Sequence, residues 1–321
     1  MSNLASALNQ QHKTDVFDEE FLAKFPFLRT SSQINNTEYP EPEWLINKIL
    51  PKEGTALLGG KYKSGKSYFA LWIIKQVTEM DIPVYYFSAE DREARIKTRM
   101  TKFGIDTNGI VFHCGKTRPI ERDKHSGYLP TMKRILQAKP EIGLVVLDPM
   151  VSAMAEVKGI DKQYSQTYSE NDQWNLLAEA HNTVILMTHH GGKGDKGTFD
   201  DFLGSTATPA SFDTLLFLRK IDGNNLTLMV DGKDFDGEEI YRYKRIDKGF
   251  EYVGLESEAS LGEQQDNVLQ TIRFDPGRYT ITKLSIRLGM DKGNCSRRVN
   301  SLCRDGFIYK DNKGMLFPDN I

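Results

Sequence analysis

The chain has 321 residues, 39% hydrophobic and 27% charged, with a formal net charge of −2, which allows one substantial core and a small additional domain. That balance excludes a wholly basic nucleic-acid coat and confines any DNA contact to local patches. No apolar run approaches the roughly 20 residues of a membrane span and no signal peptide starts the chain, so a cytoplasmic protein with no membrane partner is expected; three cysteines without paired spacing point to neither a disulfide framework nor a zinc site.

Residues 1–40 are polar and mixed, with a short helix predicted within DVFDEEFLAKF, and they read as an arm or linker. Residues 41–254 read as the main domain. From Thr55 onward, apolar runs alternate with helical segments: TALLG, IPVYYFSA, IGLVVLD, NTVILMTHH and DTLLFLRK. Nearly continuous apolar strands separated by helices predict an α/β domain with a mostly parallel central sheet covered on both faces. After Lys220 the runs NLTLMVDGKD, EEIYRYKRID and GFEYVG become short and alternating, which predicts an antiparallel extension.

The first of these strands leads into a phosphate-binding loop of the form G-x-x-x-x-G-K-[ST], made of Gly60, Lys61, Tyr62, Lys63, Ser64, Gly65, Lys66 and Ser67 and followed by Tyr68. Glycines let backbone N–H groups turn inward around phosphate oxygens, and the helix that follows adds its positive end. Lys66 would reach the β and γ phosphates of a nucleotide, and the Ser67 hydroxyl would ligate Mg²⁺. Lys61, Tyr62 and Lys63 are large or charged for such a loop; Tyr62 and Lys63 would contact the base, tighten phosphate binding or simply be tolerated.

At the end of the second strand stand Glu90 and Asp91, where a parallel sheet presents its ligand edge. A carboxylate there can orient or deprotonate a water in line with a γ-phosphate; a first-turn acid of a helix is the plain alternative. The third strand ends in Asp148, the arrangement that holds a magnesium ion's water shell. The fourth ends in His189 and His190, which point to opposite sides, so at most one faces the site as a γ-phosphate sensor. The loop from Gly191 to Asp201 carries Lys193 and Lys196, expected to touch a polyanion or else to be an ordinary solvated loop.

Residues 255–263 are acidic and turn-rich, a linker into residues 264–321. There DNVLQTIRF, ITKLSIRLGM, DKGNCSRRVNSLCRDGF and FIYKDNKGMLF read as helix, strand-like turn, helix, helix and hairpin. That order resembles a small C-terminal winged helix-turn-helix domain, with DNKG as the wing turn and Arg297, Arg298 and Arg304 on the third helix. Basic residues outnumber acidic ones in this segment, which supports a nucleic-acid contact; a protein-interaction module is the other reading.

Taken in order, these motifs resemble the RepA-like hexameric replicative helicases of the RecA-type P-loop ATPases, with DnaB and KaiC as broader relatives. EWLINKILPKEGTALLGG resembles the lead-in to the phosphate loop, SAEDR the catalytic-glutamate motif and VVLDP the Walker B strand. SEN at Ser169–Asn171 resembles the start of a helix, THHGGK the sensor histidine, and LGSTATPASFDTLLFLRK the segment before the last core strand. The resemblance spans about Pro42 to Asp247. It implies a RecA-like P-loop NTPase core, phosphate contacts from Lys66 and Ser67, catalysis by Glu90, Mg²⁺ binding by Asp148, sensing by His189 or His190, and ATP as the nucleotide. It further implies a homo-oligomer, a hexamer, acting on single-stranded DNA with a replication-initiation partner. A basic residue near the last core strand, taken as Arg219, would complete a neighbour's site; Lys233 stands where relatives carry arginine. Central loops near 150–165 and 191–203 would transmit the stroke. The expected function is the replicative helicase of a plasmid, phage or mobile element; the competing readings are an ATP-switched DNA-binding or loading protein and, more remotely, a small-molecule kinase.

Overall fold

The structure is a computed structural model, describing residues 19–39, 41–106, 108–115, 123, 126–154, 163–190, 199, 207–256, 263–304 and 306–318. The chain forms two compact units, 1–43 and 44–321.

In the first unit, α1 (Glu19–Lys24) falls inside the segment predicted to be helical. A second short helix, α2 (Ser31–Asn35), was not anticipated, although its signal is local: Thr30 accepts from the Gln33 backbone while the Gln33 side chain accepts from the Thr30 N–H, a reciprocal capping box.

The second unit opens with a small hairpin, β1 (Trp44–Ile46) and β2 (Leu50–Pro51). The central sheet then begins with β3 (Gly54–Gly59), followed by α3 (Lys66–Thr78), β4 (Val84–Ser88), α4 (Glu93–Phe103), β5 (Ile110–Cys114), α5 (Leu129–Ala138), β6 (Leu144–Asp148), α6 (Gln163–Ala180) and β7 (Val184–Thr188). After α7 (Ala207–Ala210), the strands β8 (Thr214–Asp222), β9 (Asn225–Gly232), β10 (Glu239–Ile246) and β11 (Gly249–Leu255) complete a nine-stranded sheet of order β11-β10-β9-β8-β3-β7-β6-β4-β5. The pairings from β8 through β5 are parallel, and those from β8 to β11 antiparallel. The expected mostly parallel sheet with an antiparallel extension is therefore present, with β5 as an added edge strand.

Alternate residues of the parallel strands feed two cores. Leu58, Tyr86, Val146 and Leu186 meet Phe69, Ile73 and Ile74 of α3 and Ile96, Met100 and Phe103 of α4. Leu57, Phe87, Leu147 and Met187 meet Met132 of α5 and Trp174 and Leu177 of α6. Both faces are thus dry, and polar chemistry is pushed to the strand ends. Ser169–Asn171 lie well inside α6 and do not open it: the helix begins at Gln163, and Asn171 is buried with its amide donating to Ser211 Oγ at 2.6 Å. None of the described helices is long and apolar enough to cross a membrane.

The last elements are α8 (Glu263–Phe274), α9 (Ile281–Arg287), α10 (Lys292–Arg304) and the hairpin β12 (Ile308–Lys310)–β13 (Leu316–Pro318). Val268, Ile272, Leu284, Cys295, Val299 and Leu316 form their own core. The anticipated strand-like turn between α8 and α9 is no named strand, yet Gly277 N–H and the Tyr279 carbonyl both pair with Leu316, as a strand's would. Asp311 closes the wing by accepting from the Lys313 and Met315 N–H groups. The three cysteines are free thiols, and Cys295 is core filling.

Candidate functional site

The ends of β3, β4, β6 and β7 open onto one cleft of about 330 Å³, lined by Tyr62, Lys63, Gly65, Lys66, Ser67, Tyr68, Glu90, Arg99, Asp148, His190 and Arg245. The loop that follows β3 needs its glycines. Gly60 has φ +152° and a Cβ there would meet the Leu218 carbonyl oxygen at 2.5 Å and Ser64 Oγ at 2.7 Å; Gly65, at φ +102°, is the left-handed cap of α3. Lys66 is buried, and its ammonium donates to the carbonyls of Gly60 at 2.8 Å and Lys61 at 3.0 Å. Burial pulls its pKa down to about 8, against the opposing pull of the Asp148 and Glu90 carboxylates.

The geometry separates the two neighbouring acids. Asp91 is buried and takes guanidinium N–H groups from Arg95 and Arg99, so it ties α4 to the end of β4. Glu90 is exposed and lines the cleft. Asp148 accepts from the Tyr86 hydroxyl at 3.1 Å on one oxygen and from the Thr188 hydroxyl on the other, so hydroxyls from both adjacent strands orient it. The histidines separate too: His190 lines the cleft, while the His189 N–H donates to the Leu58 carbonyl.

Two arginines of the cleft carried no motif. The Arg99 guanidinium lies 4.9 Å and that of Arg245 4.5 Å from the centre of the Tyr68 ring, a pair of cation–π contacts at the rim. Arg99 sits two turns into α4 and Arg245 on β10 in the antiparallel extension, so neither belongs to a contiguous sequence pattern. Tyr62 is 77% exposed, with the Lys63 ammonium over its ring.

Arg219 is exposed on β8 and is not among the residues lining this cleft, so a role at a phosphate would require a neighbouring subunit. Lys233 donates to the Asp213 carboxylate, and this hydrogen bond holds the lysine's pKa above its ordinary value; the same carboxylate also accepts from the Thr55 N–H. Lys193, Lys196 and most of both central loops lie outside the described residues. On α10, Arg297 and Arg304 are exposed, whereas Arg298 donates to Gln264 on α8 at 2.7 Å and is engaged within the domain.

The residues present fit a nucleoside triphosphate with a divalent cation. Ser67 and Asp148 supply the hard oxygen donors that Mg²⁺ takes alongside phosphate and water. The buried Ser64 Oγ and His190 Nδ1 have no hydrogen-bond partner among the described residues, so both have capacity for a ligand.

Comparison with known proteins agrees with this geometry. The AAA domain family matches residues 21–196, and a winged helix-turn-helix DNA-binding family matches residues 267–309. Among solved structures, the ATPase domain of G40P is similar with a TM-score of 0.50 and 16% identity, over 64% of this chain and 86% of that one. A KaiC-like protein from the hyperthermophilic archaeon Pyrococcus horikoshii OT3 gives 0.47 and 17%, over 63% and 91%. No curated protein sequence matches.

Proposed function

The chain belongs to the AAA domain family and combines a RecA-like core with a C-terminal winged helix-turn-helix, and from that premise we propose that it hydrolyses ATP as a DNA-acting ring ATPase, the replicative helicase of a plasmid, phage or mobile element. The observation that supports this most is the convergence of Lys66, Ser67, Glu90, Asp148 and His190 on one cleft while the adjacent Asp91 is tied off by Arg95 and Arg99.

In this reading Lys66 leaves the carbonyls of Gly60 and Lys61 and donates to the β and γ phosphates. Glu90 holds the attacking water in line and takes its proton. His190 reports the state of the γ-phosphate, and Tyr68 with Arg99 and Arg245 forms the wall beside the base. Ser67 and Asp148 would hold Mg²⁺, which would supply positive charge against the phosphates. Arg219 acts on the site of the next subunit of a hexamer, and Lys193, Lys196, Arg297 and Arg304 contact DNA. The winged domain favours one second reading, an ATP-switched DNA-binding or loading protein without unwinding.

Steady-state ATP hydrolysis, measured with and without single-stranded DNA at two salt concentrations, separates the two. Strong stimulation by DNA that disappears in Glu90→Gln supports the motor. Slow turnover indifferent to DNA and to that substitution overturns it and leaves the switch.

A further inference from the structure

A second cleft, of about 530 Å³, lies between the antiparallel extension and the winged domain; its lining includes Lys48, Tyr241, Tyr243, Tyr252, Gln270 and Arg273. Three features set its chemistry. Its wall is aromatic: Tyr252 is 52% exposed, and the nearly buried Tyr243 and Tyr241 rings pack against it at a steep tilt, 5.8 Å and 6.1 Å away, so the Tyr252 ring offers an aromatic face to solvent on a tyrosine support. Its charge is positive: Lys48, in the left-handed conformation at φ 53°, stands at the β1–β2 turn, and Arg273 comes from the last turn of α8. The carboxylate bonded to this wall, Glu239, accepts from the Tyr241 hydroxyl. Its size is that of a small-molecule site.

The geometry points to this cleft as a binding site for one nucleotide unit, a planar base stacked on Tyr252 with its phosphate held by Lys48 and Arg273. Aromatic faces beside cations are how proteins hold bases and phosphates without reading sequence. The unit can come from a free nucleotide or from a single strand, since both offer the same base and phosphate.

The site is wired to the phosphate loop through β10. Tyr241 and Tyr243 face this cleft while Arg245, two residues on, faces the first. Tyr243 also packs on Phe69 and Trp72 of α3, the helix that starts at Lys66. A ligand that fixes the Tyr243 face therefore bears on both the cap helix and the Arg245–Tyr68 contact.

The test is calorimetric titration of the full chain with AMP and, separately, with a four-residue oligothymidylate, which lack the β and γ phosphates that Lys66 and Ser67 would hold. Wild type, Tyr252→Ala, Lys48→Asn and Tyr68→Ala are compared, each checked by thermal melting; asparagine at position 48 tolerates the left-handed backbone. Binding that weakens at least about 10-fold in Tyr252→Ala and in Lys48→Asn, as loss of stacking or of a phosphate contact predicts, but persists in Tyr68→Ala supports the site. AMP alone binding identifies a free nucleotide, and the oligonucleotide alone a strand. Absence of binding by both probes, or binding lost in Tyr68→Ala and unchanged in the other two, overturns it. A separate ATP titration reads the first cleft, so failure there is distinguishable from failure here.

Discussion

The parallel and antiparallel halves of the sheet present polar side chains in different ways. Strands β3, β4, β6 and β7 are buried along their whole length. Their polar residues can emerge only at the ends, and there the phosphate loop, Glu90, Asp148 and His190 gather. Strand β10 alternates between buried and less buried positions over most of its length, and the middle three residues of β11 are exposed, so they can present a side chain from an open face, as they do with Arg245 and Tyr252. A strand packed on both faces works at its tip; a strand with an open face works along its side.

The sharpest way to break that contrast is at the tip of β4. Glu90→Gln should lower turnover by about 10²–10⁴-fold with unchanged melting, the range for loss of a general base. Asp91→Asn should do the reverse, costing about 1–3 kcal/mol of stability because it weakens a buried acceptor of two guanidiniums, with turnover changed far less. Equal effects of the two on activity would erase the distinction between the working and the anchoring carboxylate.

Lys66 offers a pH test of the same strand ends. With its pKa lowered to about 8, the ammonium that favours phosphate is present below that pH and lost above it. Nucleotide affinity should therefore hold below pH 8 and fall roughly 10-fold per unit above it, since one proton is coupled to binding. Lys66→Arg keeps its charge throughout, so the step should vanish; a step that survives in this variant would assign it to another group.

From the antiparallel side the expected effect is smaller. Arg245→Ala should raise the KM for ATP about 3- to 10-fold, as removal of a half-buried cation–π partner predicts, with kcat close to wild type. A large fall in kcat instead would make the extension as catalytic as the strand tips. Smallest is the winged domain: Arg297→Ala should weaken DNA binding a few-fold and flatten its salt dependence by about one charge, whereas Arg298→Ala should chiefly loosen the contact between α10 and α8, seen as a lower melting temperature.

The same contrast explains what the sequence disclosed. Strand tips concentrate their chemistry in contiguous stretches, so the phosphate loop, Glu90–Asp91, Asp148 and the histidine pair could be read in order, along with the core fold. Glu90 was preferred to Asp91 from the sequence, but what Asp91 does instead could not be read, because it turns on Arg95 and Arg99 folding back from the next helix. Arg245 joins Tyr68 only once the sheet is assembled, and nothing local to YRYKRID marks it. Strand β5 was passed over because IVFHC, at an open edge, lacks the buried apolar run that betrayed its neighbours. SEN was assigned to a helix start by resemblance alone, whereas Asn171 lies inside α6 and anchors it to Ser211 within the fold.

One packing detail gives the molecule a native optical probe. Trp72, on the helix that begins at Lys66, packs tilted against Phe69 and edge-on against Tyr243 and Phe250, and its ring would sit 2.5 Å from any Cβ placed at Gly249. The indole thus occupies the seam between α3 and the strands β10 and β11. With the third tryptophan, Trp44 on β1, replaced by Phe, its emission colour and polarisation should track how tightly that seam is closed, in unlabelled protein and in real time, while Trp174, fully enclosed beneath the opposite face of the sheet, supplies a steady reference within the same spectrum.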